Sequence, residues 1–143
     1  MRGVRFSQLF WRLGSGIWLG TIFFFFVGIA PNIFVLVPMP YSGRFVTHIF
    51  PLYYAIGLIA GGVAFLAGLA LAWTSRRSGR WLLASITGLA WVLLWYAYDL
   101  LLRMQHLSPN SGPFQGMHQT SIVVNTIVMV ILLVAYVIEA LVA

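Results

Sequence analysis

The chain has 143 residues, 62% of them hydrophobic and only 7% charged, with eight basic residues against two acidic for a net charge of +6. So little polar surface cannot keep a soluble fold dispersed in water, which excludes the soluble classes. The chain has no cysteine, which excludes disulfides, thiolate metal centres and iron–sulfur clusters. Its basic excess forms no patch interleaved with aromatics of the kind that grips nucleic acid.

Leu13 to Pro38, Phe45 to Trp73, Trp81 to Leu102 and Gln119 to Ala143 are apolar runs. A hydrocarbon core about 30 Å thick is crossed by about 20 residues of helix, so each run predicts one crossing. None alternates with period two, which favours helices over barrel strands. The expected architecture is an all-α, integral membrane four-helix bundle, with residues 1–143 as a single transmembrane domain.

Met1 to Arg5 has the basic start of a secretory signal, but the run that follows is far longer than a signal's apolar core, so an uncleaved first helix is expected. Within that run, Gly16 and Gly20 have GxxxG spacing, and Phe23 to Phe26 read as lipid-facing and core bulk. Trp11 and Trp18, with Trp73 and Trp81, are expected in an inner aromatic belt. Pro31 removes one backbone bond beside Asn32 and predicts a bend that opens a cavity toward the outer face. In the second run, Gly57 and Gly61 repeat the GxxxG spacing, and Ala60, Ala64 and Ala67 extend it into a small-residue surface. Arg44 and His48 share a face at i and i+4, as do Asp99 and Arg103 in the third run. Trp91, Trp95, Tyr96 and Tyr98 lie deeper, where their rings pack or line a pocket. In the fourth run His118, Ser121 and Asn125 form an i, i+3, i+7 stripe, and Glu139 stands at the inner end.

Arginine supplies all the basic residues. Arg2, Arg5 and Arg12 precede the first run and Arg76, Arg77 and Arg80 join the second to the third, leaving Arg44 and Arg103 on the other side. The positive-inside rule then places both termini in the cytoplasm (N-in/C-in), and the expected location is a bacterial inner (cytoplasmic) membrane. With that orientation every histidine falls in the outer half, together with Asp99, Met39, Met104 and Met117.

Polar groups in a bilayer are costly unless they face the bundle interior and find partners, so these residues are expected to form one outer pocket. Arg44, His48, Asp99, Arg103, His118 and Asn125 are its expected ligand-binding set. Imidazole with thioether suits copper, and Met104, His106, Met117 and His118 offer both near one loop. His48 and His118 on facing helices could instead ligate haem or another tetrapyrrole, and a histidine with an aspartate near an interface could serve a quinone or a proton path. The structural alternative is an Asp99–Arg103 interfacial ion pair, histidines snorkelling to headgroups, and Asn125 bonded to a neighbouring helix. No GxSxG, P-loop, HExxH or GxGxxG occurs, and Ser121 near His118 lacks an orienting acid, so no standard enzyme constellation is present.

Trp18-Leu19-Gly20, the Phe26 to Pro31 segment ending Ala30-Pro31, Phe34, Ser42-Gly43-Arg44, Phe50-Pro51-Leu52-Tyr53-Tyr54 and His118-Gln-Thr-Ser121-Ile-Val-Val-Asn125 together resemble the domain-of-unknown-function 4149 group. That group is similar to the transmembrane-protein-205-like four-helix proteins. The resemblance implies the fold over essentially the whole length and implies no activity. The positions matching the group's recurring polar residues are Arg44, His118, Ser121 and Asn125. A fainter likeness in size and architecture to copper-resistance membrane proteins of the D type transfers no ligands. The expected role is a non-enzymatic accessory subunit, docking on other membrane proteins or on itself through its Gly-rich faces. The alternative is a ligand-binding or transport protein using the outer pocket.

Overall fold

A computed structural model describes residues 2–38 and 41–142; Met39 lies outside the described residues. The chain runs through α1 (Arg2–Phe23), a π-helical segment (Phe24–Ile29), α2 (Ala30–Leu36), α3 (Tyr41–Ser75), α4 (Ser78–Met104) and α5 (Gly112–Val142), with no strand among the described residues. Four stretches are long and apolar enough to cross a membrane: Gly3–Ile33, Tyr41–Ser75, Ser78–Met104 and Gly112–Leu141. The protein is an all-α four-helix membrane bundle. The helices extend past the apolar runs, most clearly where α1 begins at Arg2 and α5 at Gly112. Hydropathy marks only the residues suited to the hydrocarbon core, whereas backbone bonding carries a helix on through the interface.

The π-helical segment sits immediately before Pro31. Proline has no N–H, and its ring crowds the carbonyl four residues back, here that of Val27. A wider π turn accommodates this: the N–H of Ala30 bonds the carbonyl of Phe25, five residues earlier, and the Asn32 side chain donates to the Gly28 carbonyl at 2.8 Å. Such turns take up an extra residue and rotate the side chains beyond them. Where a bend is expected at Pro31, the chain changes helix type, from π to α.

The helices pack in a cycle in which α1 lies mainly on α3, α3 on α4 and α4 on α5, with a lighter contact from α5 back to α1. The small-residue surface of α3 makes this possible. Gly57, Ala60, Gly61, Ala64, Ala67 and Gly68 are all buried. Trp18 lies over Gly57 and Gly61, where an added Cβ would meet its indole at 3.4 Å and 2.9 Å. Trp11 lies against Gly68 in the same manner at 3.3 Å, and its indole N–H donates to Thr87 of α4 at 3.2 Å.

Trp11 and Trp18 are therefore core residues, fully buried, rather than members of the aromatic belt expected for them. The grooves left by glycine and alanine on α3 admit whole indole rings, and no local sequence signal distinguishes that from an interfacial tryptophan. Trp73 and Trp81 are exposed and adjacent, with ring centroids 6.3 Å apart, as a belt requires.

The backbones of α1 and α3 come close at Gly14, where an added Cβ would lie 2.7 Å from the Ala60 carbonyl oxygen and 2.9 Å from the Ala64 nitrogen. Of the GxxxG pair in α1, a Cβ added at Gly16 would lie 3.0 Å from the Tyr136 hydroxyl, while one added at Gly20 would meet nothing within 4 Å among the described residues. Near the start of α1 a polar group ties it to α5. The Glu139 carboxylate, itself buried, accepts from Gln8 at 2.6 Å and from Arg12 at 2.8 and 3.1 Å. Tyr136 donates to the Arg12 carbonyl at 2.9 Å, and the Tyr136 and Ser15 hydroxyl oxygens are 3.1 Å apart. A buried carboxylate is tolerated here because it keeps an arginine partner and added donors.

Gly14→Ala is expected to destabilise the protein by about 1–3 kcal/mol, because its methyl would press on backbone that cannot yield. Gly20→Ala should leave stability unchanged or raise it by up to about 1 kcal/mol, since helical alanine outranks glycine and the site is open. Unfolding of the detergent-solubilised protein, followed by circular dichroism, measures both.

Candidate functional site

At the end of the bundle that carries the α2–α3 and α4–α5 connections, the helices enclose a cavity of about 200 Å³. Its walls come from every helical element except α1. The π-helical segment contributes Phe25 and Phe26, α2 contributes Ala30, and α3 contributes Val46, Phe50, Tyr53 and Tyr54. Leu101 and Met104 come from the end of α4, and His118, Ser121, Ile122 and Asn125 from the start of α5.

The apolar part of this wall is largely aromatic. The Phe25 ring lies 5.0 Å from both Phe50 and Tyr53, centroid to centroid, and Phe50 lies 6.3 Å from Tyr54. These are the offset and tilted arrangements that aromatic quadrupoles favour. Pro31 and Pro51 flank the wall from two helices. Each lacks the N–H an uninterrupted helix needs, and each sits within a few residues of rings that face the cavity.

The polar part is a hydrogen-bonded cluster centred on Asn125. Tyr53 and Tyr54 are consecutive on α3, so their side chains leave the helix about 100° apart and hold the Asn125 amide between them. The Tyr53 hydroxyl donates to Asn125 Oδ1 at 2.8 Å. Asn125 Nδ2 donates to the Tyr54 oxygen at 3.1 Å and to the Ser121 carbonyl at 2.9 Å. That carbonyl can only accept, which fixes which amide atom is nitrogen. The Tyr54 and Ser121 hydroxyls are 3.1 Å apart. All four residues are buried, and in a low-dielectric interior each bond is strengthened and each loss is costly. The cluster therefore ties α3 to α5 and sets the rotation of both at the cavity.

The expected stripe of His118, Ser121 and Asn125 does face one cavity, and Met104 joins it. The other expected residues lie elsewhere. Arg44 and His48 are exposed on α3, and His106 is exposed beyond the end of α4. Met117 is half-buried, and His118 stacks on Phe114 with ring centroids 6.1 Å apart. Asp99 and Arg103 form the anticipated i, i+4 pair at 2.8 Å, with side chains 47% and 63% exposed; it is a surface ion pair of modest energetic weight. Among the described residues no three of His, Asp and Glu gather where they could hold a metal ion.

Two members of the cluster, Tyr53 and Tyr54, were expected only as part of the family-like segment and not as site residues. The available signal was a pair of adjacent tyrosines in the middle of an apolar span. Each must bring a hydroxyl into the hydrocarbon region, and at least one has to turn inward.

The family model for the domain of unknown function DUF4149 matches residues 13–108. The chain belongs to the DUF4149 family. No curated protein and no solved structure matches it. The matched segment takes in the π turn, Pro31, Pro51, both cavity tyrosines and Met104. It ends before α5, so the Ser121 and Asn125 half of the cluster lies beyond the part that carries the DUF4149 match.

Asn125→Ala removes the acceptor for Tyr53 and a donor to Tyr54, leaving two buried hydroxyls short of partners. A loss of about 1–3 kcal/mol is expected. Tyr53→Phe leaves one amide lone pair unfilled and should cost about 1 kcal/mol. If the cluster acts as a unit, the double variant will lose less than the sum of the two, measured as a thermodynamic cycle in detergent.

Proposed function

We propose that this DUF4149 protein binds a membrane-soluble molecule, seating a compact polar end against the Tyr53, Tyr54, Ser121 and Asn125 cluster while apolar parts line the aromatic wall. The observation that carries this reading is a mainly apolar cavity of about 200 Å³ with a small set of convergent polar groups in it. That combination marks small-molecule sites generally. The volume lies below the range of about 300–1,000 Å³ usual for such pockets, which favours one ring or the end of a chain, with the remainder leaving between helices past Val46 and Ile122. A tetrapyrrole is too broad for it, and His48, the proposed second axial ligand, does not line the wall.

A second reading has one specific support. Met104 and His118 both line the cavity, and thioether with imidazole is a donor pair that copper accepts. The accessory-subunit reading rested on Gly-rich faces. Gly14, Gly57, Gly61 and Gly68 all make contacts within the chain, so small-residue spacing supports internal packing more directly than docking.

The outward placement of the cavity is part of the same proposal. It rests on the arginine distribution, with Arg76, Arg77 and Arg80 at the α3–α4 turn and the cavity at the other end of the bundle.

Gentle purification followed by solvent extraction and mass spectrometry should recover a stoichiometric apolar species, and Val46→Phe, which places a ring in the cavity, should lower its occupancy at least several-fold. Unchanged occupancy in a folded Val46→Phe protein would place the molecule elsewhere. Since the chain has no cysteine, Ser111→Cys and Ser78→Cys each create a unique thiol. An impermeant maleimide is expected to label Ser111→Cys in intact cells and Ser78→Cys only after permeabilisation; the reverse pattern inverts the orientation.

A further inference from the structure

The hydrogen-bond inventory of the cluster narrows the chemical class of what the cavity takes. Among the described residues lining it there is no Asp, Glu, Lys or Arg, and His118 is the one side chain that could stand opposite an anion. An ammonium head would enter without a counter-ion, and an anionic head would depend on that single imidazole, which makes burying either charge costly. The four-residue cluster is itself neutral, which favours a neutral polar end.

The side chains of Tyr53, Tyr54, Ser121 and Asn125 hold five donor hydrogens, one on each hydroxyl and two on the amide. Tyr53 uses its hydrogen on Asn125 Oδ1. Asn125 uses both of its own, on the Tyr54 oxygen and the Ser121 carbonyl. The Tyr54 and Ser121 oxygens share a single hydrogen bond in which either is the donor. Whichever donates, the hydrogen of the other has no partner among the described residues. One O–H is left over, on one of two adjacent oxygens, beside a cavity walled by aromatic rings.

We infer that the cavity takes a neutral, flat ring bearing a carbonyl, with an apolar tail: the chemistry of a membrane quinone, held by one hydrogen bond to one of its two carbonyls. This rests on the ligand-binding reading above. The rings of Phe25, Phe50, Tyr53 and Tyr54 suit a planar head by stacking and edge contacts, and the polarizable Met104 sulfur suits its rim. A quinol, with two hydroxyls to satisfy, fits a cluster with one free donor less well.

The test uses the full-length protein in lipid nanodiscs, titrated with decylubiquinone, with a decyl-substituted methylbenzene of similar size, and with laurate, followed by intrinsic tryptophan and tyrosine fluorescence. Decylubiquinone is expected to bind at least tenfold tighter than the other two. Tyr54→Phe and Ser121→Ala should each bind it within about threefold of the parent, since either variant retains a free hydroxyl hydrogen. Infrared difference spectra with carbonyl-labelled decylubiquinone should show one carbonyl band lowered and the other unshifted. In the Tyr54→Phe/Ser121→Ala double variant the donor to the carbonyl is no longer a hydroxyl but the Asn125 amide hydrogen that the Tyr54 oxygen had accepted, so the position of the lowered carbonyl band should change relative to the parent, which a merely structural role would not produce.

Equal binding of decylubiquinone and the hydrocarbon, or two equally shifted carbonyl bands, would overturn the quinone inference while leaving the cavity as an apolar site. Tighter binding of laurate would overturn neutrality. If none of the three binds to protein that retains its parent melting temperature, both this inference and the ligand-binding reading fall together.

Discussion

The bundle depends on a single constraint: in hydrocarbon, helices gain nothing from hiding apolar surface from one another, so they associate only where their backbones come close or their polar groups meet. In this chain those two devices are separated along α3. From Gly57 to Gly68 the helix presents glycine and alanine, and α1 and α4 close onto it with Trp11, Trp18 and Leu94 filling the grooves. From Val46 to Tyr54 the same helix presents valine, phenylalanine and tyrosine, and there the contact is made through side chains and hydroxyls. One helix thus has a tightly packed half and a half that leaves space.

Two prolines reinforce the difference. Pro31 converts the end of the first span into a π turn that aims Phe25 and Phe26 at the space. Pro51 interrupts the backbone ladder of α3 one turn before Tyr54. Such interruptions are tolerated in membrane helices when neighbouring groups satisfy the freed backbone, and π turns recur at functional sites. The cavity is therefore a product of covalent geometry at two residues as well as of side-chain bulk.

The Asn125 amide and the Glu139 carboxylate hold the bundle at its two ends in different ways. Near the start of α1, the buried carboxylate is matched to Arg12, whose side chain is half exposed, and to Gln8, a charged contact suited to the polar interface. At the cavity end the cluster is neutral throughout. A neutral cluster can stand beside a cavity without a counter-ion, and it can release a donor to an incoming group without stranding a charge. That difference leaves one end of the bundle held by a charged contact and the cavity end held by neutral hydrogen bonds alone.

The number of crossings, their order and the helical class were legible because hydropathy is local and adds along the chain, so each run declares itself without reference to the others. The i, i+3, i+7 stripe of His118, Ser121 and Asn125 was legible for the same reason, since one helix determines its own faces. Which residues stand opposite that stripe was not. The rotation of α3 about its axis is set by Trp18 over Gly57 and Gly61 together with the Asn125 cluster at the cavity, and these are contacts between helices. Arg44 and His48 share a face as their spacing requires, yet that face is turned outward, and Tyr53 and Tyr54 meet Asn125 instead. Spacing within a helix follows from the sequence, while pairing between helices follows from how closely their backbones can approach, which only the packed structure decides.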